Sequence, residues 1–596
     1  MPLRIEDYAI IGDTTSGALI GKNGSLDWLC APRFDSPAVF AALLGTEANG
    51  YWQITPIGEV RRFERHYRDG TCVLESLFET DEGTMRVVDC MPPNDNRSDV
   101  VRVVEGVQGS VRVEMRCAPR FDYGSLIPSI GRSDHGIFAV AGPDAICLRS
   151  PVDLQVDRGT ASSQFTVSAG EQIPFHLVWY PSHLSCPQPE DPLEQVARTD
   201  AWWREWSGRC KHEGPFRDDV LRSLLTLKAL TYAPTGAIVA ALTTSLPEEI
   251  GGQRNWDYRY CWLRDAAFTL APLVRMGYWE EALAWRDWLL RAVAGDPGQL
   301  QLMYGIGGEH RLNETELPWL PGYENSRPVR IGNAASQQFQ LDIFGELLSV
   351  TLAAQEAGLP EGRDLTRSPG IDVLALMEFV EHRWHEPDEG IWEIRGQPQH
   401  FTYSKVSAWT AFDRAIKIAE KNGVKAPLDR WRSVRDKIHA DVCLHGFDTQ
   451  RNSFVQYYGG TGLDASLLLI PINGFLPPKD PRVLGTIDAI QRELASGPFV
   501  RRYSTDDGVD GVAGSEGIFL ICSFWLVSAL ALAGRLEEAE RNLEQLRALQ
   551  NDVGLLSEEY DPTSKRFLGN FPQALSHIGL LHSIFTILEA RATIDP

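Results

Sequence analysis

Four segments of this 596-residue chain crowd aromatic rings, amides, arginines and carboxylates together. Residues 255–265 read NWDYRYCWLRD, 323–330 read YENSRPVR, 390–401 read GIWEIRGQPQHF and 556–562 read LSEEYDP. This mixture suits a sugar. Arg–Asp pairs and amides meet hydroxyls as donors and as acceptors, and aromatic faces cover the C–H surface of the ring. Cleaving a glycosidic bond needs two carboxyls, one protonated near neutral pH and one ionised. Glu393 follows Trp392, an apolar neighbour of the kind that raises a carboxyl pKa. Glu558 and Glu559 are adjacent like charges, either of which could face a cleft. Alone, any one of these glutamates reads as a surface ion-pair partner and any one Trp as core. Four such segments in one chain read as a site.

Other chemistries find no support. There is no GxSxG elbow, no GxxxxGK[ST] phosphate loop and no HExxH. Gly305-Ile306-Gly307-Gly308 and Gly459-Gly460-Thr461-Gly462 lack the strand-then-helix setting of a dinucleotide fingerprint and read as tight turns. The pairs His577/His582 and His382/His385 lack convergent Cys or Asp ligands, so no metal site is expected. The ten cysteines form no CxxC pair and read as buried free thiols of a reducing compartment. Asp and Glu total 80 against 57 Lys and Arg, a net charge of −23. That balance argues against nucleic acid or an anionic membrane as partner. No apolar run reaches the length of about 18 residues that crosses a bilayer, and the N-terminus lacks a basic-then-apolar secretion signal. A cytoplasmic location is expected.

The elements that must position these segments change character along the chain. Up to about residue 185 the pattern alternates as strands do, with β-branched runs at 84–88, 101–105, 111–115, 137–140 and 165–167. Glu82-Gly83 and Gln108-Gly109 read as turns between them, and the whole as an antiparallel β-sandwich. A Pro-rich stretch at 182–192 reads as a linker, with a helix following in residues 186–215. From Phe216 to the end the period is helical. Twelve helical stretches lie between 216 and 590, three of them apolar helices stopped at Gly277, Gly423 and Gly534 before an amphipathic partner. Paired apolar and amphipathic helices fit two concentric layers, an (α/α)6 toroid over residues 216–596. The long connections 295–333 and 385–402 read as functional loops.

The chain resembles glycoside hydrolase family 15 along essentially its whole length. The resemblance is carried by IEDYAIIGDTTSGALIGKNGSLDWLCAPRFDSPAVF, GGQRNWDYRYCWLRD, GYENSRPVRIGNAA, GIWEIRGQPQHFTYSK, EGIFLICSFWLVSAL, LLSEEYDP and GNFPQALSH, in the family's order. It implies a β-sandwich followed by an (α/α)6 barrel, and an inverting hydrolysis with two glutamates. Matched to the family's motifs, Glu393 is the general acid and Glu558, through the S-E-x-Y-D form, the general base. Arg264 and Asp265 match the pair that holds the hydroxyls of the terminal glucose. Trp256, Asp257, Trp262, Trp392 and Arg327 complete the expected substrate-binding set. The reaction needs no cofactor. The segments ENSRPVRIGN, WEIRGQPQHFTYSK and GNFPQA look most like bacterial trehalases, and a small neutral α-glucoside fits a cytoplasmic location better than starch. Glucoamylase, an isomaltose or dextrin exo-glucosidase, and a sugar phosphorylase stay open as alternatives, as does a homo-oligomer.

Overall fold

The structure is a computed structural model that describes residues 2–93, 97–133, 136–358, 372–423, 425–505 and 508–594. Up to Pro181 the chain forms two antiparallel sheets that share one 21-residue strand, Ser98–Ala118. Its first half pairs with Gly83–Cys90 on one side and Gln172–Pro181 on the other. Its second half pairs with Tyr51–Pro56 and Thr160–Ser168. The turn expected at Gln108-Gly109 is therefore corrected. Gly109 does take the left-handed conformation, φ +69°, but the strand bends there from one sheet into the other without reversing. Glu82-Gly83 does turn the chain, with the Thr80 N–H donating to Gly83 O at 2.8 Å.

After Pro181 the chain runs without regular structure to helix α1 (Pro192–Ser207). The helix starts where Asp191 accepts from the Leu193 N–H at 2.9 Å and Pro192 presets the first turn. It packs on strands Ser98–Ala118 and Gln172–Pro181, while Trp206 at its end stacks on Tyr278, ring centres 4.2 Å apart.

Twelve helices follow among the described residues. They are α2 (Arg217–Ala229), α3 (Leu263–Arg275), α4 (Trp279–Ala292), α5 (Asp342–Glu356), α6 (Val373–Arg383) and α7 (Thr402–Asn422). Then come α8 (Leu428–His445), the short α9 (Leu469–Ile472), α10 (Pro481–Glu493), α11 (Leu520–Leu532), α12 (Leu536–Arg547) and α13 (Ala574–Ile594). The odd-numbered helices from α3 onward pack one on the next, and α13 returns to α3 to close an inner ring. The even-numbered helices lie outside it, each against an inner helix.

Sequence dictates the layer. Every residue of α11 from Leu520 to Ala531 is buried, as an apolar helix surrounded by others must be. In α12 only Ala539, Leu543 and Leu546 are buried, one stripe at helical spacing beneath a charged face. One continuous apolar core runs through both parts of the molecule.

Candidate active site

A polar pocket opens at the N-terminal ends of the inner helices. Its walls come from segments that immediately precede α3 (Trp256, Tyr258), α5 (Asn333), α7 (Trp392, Glu393) and α11 (Arg502). Arg264, in the first turn of α3, also faces it. Ring closure thus brings residues more than 200 positions apart to one mouth.

Glu393 sits in a tight turn whose amide donates to Gly390 O at 3.1 Å. Its backbone is left-handed, φ +57°, a conformation that costs a non-glycine residue energy and is held by its surroundings. The holders are identifiable. Arg264 Nη1 donates to Ile391 O at 2.8 Å, and Gln338 Nε2 to Ile394 O at 2.9 Å. The Arg395 amide donates to Asp510 O at 2.7 Å. The carboxyl receives Trp262 Nε1 at 2.7 Å and Arg264 Nη2 at 3.2 Å, both on Oε1. The neighbour that matters to it is therefore a pair of polar donors, rather than the apolar face of Trp392. That indole turns away, donating to Asp464 Oδ2 at 2.8 Å.

Glu558 has a different setting. It is fully buried. Its Oε2 accepts the Asn570 N–H at 2.9 Å, while Oε1 has no hydrogen-bond partner. Asn570 also donates from Nδ2 to Trp256 O at 3.0 Å and accepts from Thr243 Oγ1 at 2.8 Å. The carboxyl is thereby tied to the pocket wall. Gly569 makes the packing possible, because a Cβ there would stand 2.5 Å from Glu558 Oε2. Burial, and next the charge of Glu248, push the Glu558 carboxyl up to about 8. Tyr258 lines the pocket with Glu393, and its phenol interacts with the Glu558 carboxyl. Burial, and next the charges of Glu558, Glu248 and Glu393, hold its phenol well above the ordinary range.

Glu559, the next residue, points elsewhere. Its Oε2 accepts the Gly517 N–H at 2.9 Å and its Oε1 lies 3.6 Å from Arg502. Glu248 and Glu516 join it there, and carboxylate oxygens of the three lie within 4.8 Å of one another. Arg502 already fills the centre of this cluster, 2.8 Å from Glu248 and 2.5 Å from Glu516. Arg254 binds Asp510 at 2.5 Å alongside. These buried ion pairs floor the pocket.

Of the residues expected in the site, Trp256, Arg264, Trp392 and Glu393 line the pocket, whereas Glu558 is fully buried and is not part of its lining. Trp262 stands behind Glu393, a positioning role rather than a sugar face. Two expectations are corrected. Asp257 is fully buried and its carboxylate is consumed by Arg259, at 2.9 and 2.6 Å, and by the Gly332 N–H at 3.1 Å. Arg327 is exposed and lines a separate groove with Gln253 and Glu316. The side chain of Asp265 lies outside the described residues. Tyr258, Asn570, Arg254, Arg502 and Glu248 were not singled out from sequence. Tyr258 stands inside a flagged segment and was within reach, whereas Arg502 and Glu248 are isolated residues with no motif around them.

Comparison with known proteins agrees with this fold. Residues 214–585 match the family model of glycosyl hydrolases family 15, and residues 1–178 match a trehalase-like N-terminal model. The trehalase of Mycobacterium tuberculosis is 38% identical over 99% of this chain and 90% of its own length. The trehalase of Thermoplasma volcanium is 36% identical over 98% and 94%. A bacterial glucoamylase complexed with acarbose superposes with a TM-score of 0.71 at 13% identity, covering 99% of this chain and 94% of that one, and so shares the fold. The protein is a glycoside hydrolase, and the chain belongs to glycosyl hydrolase family 15.

Proposed function

We propose that the protein is a trehalase that hydrolyses α,α-trehalose with inversion. The observation that supports the reading is Tyr258, which lines the pocket with Glu393 and whose phenol is raised by burial and next by charges that include both Glu558 and Glu393. Glu393 protonates the glycosidic oxygen through its Oε2, the oxygen not used by Trp262 and Arg264. Glu558 takes a proton from a water on the opposite face of the ring, and that water attacks C1 as the glycosidic bond breaks. Arg264 and Asp265 are assigned to the hydroxyls of the bound glucose. The choice of trehalose rests on the trehalases that match this chain over nearly its full length. A reducing, cytoplasmic location is part of the proposal, supported by ten free cysteines.

The test is a panel of trehalose, maltose, isomaltose and dextrin, with the anomers followed by NMR from the first seconds. Inverting hydrolysis of trehalose yields one β-glucose and one α-glucose. Two α-glucose would overturn inversion. Glucose 1-phosphate formed only with added phosphate would replace hydrolysis by phosphorolysis. Maltose or isomaltose cleaved faster than trehalose would overturn the substrate assignment.

A further inference from the structure

The guanidinium groups facing the pocket differ in depth. Side-chain exposure is 4% for Arg254, 8% for Arg502, 13% for Arg264 and 31% for Arg395. Arg395 is thus at the open end, where the leaving sugar of an exo-acting enzyme must lie. It is also two residues from Glu393 on the same turn, so it is held close to the oxygen that joins the two sugars. Its amide is fixed on Asp510 O, and its guanidinium lies 4.2 Å from the ring centre of Trp256. Glu314, from the long connection before α5, binds it end-on, at 3.2 Å to Nη1 and 2.7 Å to Nη2. That pairing uses two of the five N–H donors of a guanidinium and fixes its plane.

We propose that Arg395 is a specificity-determining residue that donates to hydroxyls of the leaving glucose, with Glu314 and Trp256 fixing its orientation. The inference rests on the trehalase reading above. The plainer reading is an ion pair that only stitches the connection before α5 to the turn of Glu393. The two make different demands. A stitch is broken equally by removing either partner and disturbs Glu393 for every disaccharide alike. A sugar contact is lost with Arg395, only loosened without Glu314, and changes the preference among disaccharides.

The experiment compares Arg395→Gln and Glu314→Gln with the unaltered enzyme. One readout is kcat/KM on trehalose, maltose and isomaltose. The other is calorimetric binding of 1-deoxynojirimycin, a one-ring probe, and validoxylamine A, a two-ring probe. Losing a charged donor to a hydroxyl should lower kcat/KM for trehalose about tenfold to a hundredfold. The ratio between trehalose and the other disaccharides should shift, two-ring binding should weaken at least as much, and one-ring binding should stay within about twofold. Glu314→Gln should show the same pattern at smaller size. Parallel losses on all three sugars, equal effects of the two variants, or equal weakening of both probes would overturn the proposal, as would an unchanged Arg395→Gln enzyme. If the unaltered enzyme prefers another disaccharide, the trehalase reading fails while the split between probes still decides the role of Arg395.

Discussion

The two glutamates assigned to the reaction are held in opposite ways. Glu393 is part-exposed, on a strained turn, with two side-chain donors on one oxygen. Glu558 is sealed from solvent, with a single backbone N–H on one oxygen and the Tyr258 phenol near the carboxyl. An acid must keep one oxygen turned toward a leaving group, so fixing the other with long side chains is a workable design. A base must be ionised to act, and a carboxyl pushed up to about 8 keeps its proton near neutral pH. The charges around Glu558 therefore set how much of the enzyme is active at a given pH. The lesson is that Glu393 is controlled by direct contacts, and Glu558 by burial and by charges it does not touch.

This contrast can be broken at several points. The largest effects should follow removal of the carboxyls. Glu558→Gln and Glu393→Gln should each slow trehalose hydrolysis, on the order of 10²–10⁴-fold. With α-glucosyl fluoride, whose leaving group needs little protonation, only Glu558→Gln should stay crippled, as steady-state kinetics would show. Equal losses of both variants on the fluoride would remove the distinction between acid and base.

Next comes Gly569→Ala. The new Cβ would press on the Glu558 carboxyl at a positive φ of +68°. Displacing a reacting group by about 1 Å costs on the order of a hundredfold, so kcat should fall about that much on both substrates, with a lower Tm. Trp262→Phe keeps an aromatic, though smaller, ring and deletes the N–H on Glu393. A loss of about tenfold is expected, for trehalose far more than for the fluoride. A loss shared by both substrates would place Trp262 outside control of the acid.

The smallest effect should be a shift of pH profile rather than of rate. The Glu248 charge raises the Glu558 pKa, so in Glu248→Gln the base ionises at lower pH. The acidic limb of kcat/KM should move to lower pH. Movement to higher pH would mean that Glu248 stabilises the charge of Glu558 through Arg502 instead of opposing it.

How far the sequence could be read depended on where each residue's partners lie. The helical layers were legible, since α11 and α12 carry their burial in their own period. The long strand Ser98–Ala118 was not. Gly109 signals a turn as strongly in a strand that changes sheets as in one that reverses, and only the pairing partners distinguish the two. In the site, Glu393, Glu558 and Arg264 were legible because they stand in long matched segments. Asp257 and Arg327 have the residue types of a sugar site, but other groups decide their fate. Arg259 and Gly332 capture the first, and the second faces a different groove. Arg502, Glu248 and Asp510 assemble only when the ring closes, so nothing local announces them.

The packing of α13 on α3 has a consequence for synthesis. A nascent chain that has reached residue 573 already contains Glu393, Glu558 and every wall of the pocket, yet lacks the helix that completes the inner ring. Until α13 docks, α11 has lost a neighbour and presents apolar side chains with nothing to cover them. No fragment ending before α13 has a closed mouth. The enzyme should therefore gain its activity in one step, with the docking of α13, and leave copies without a docked α13 inactive and prone to aggregate.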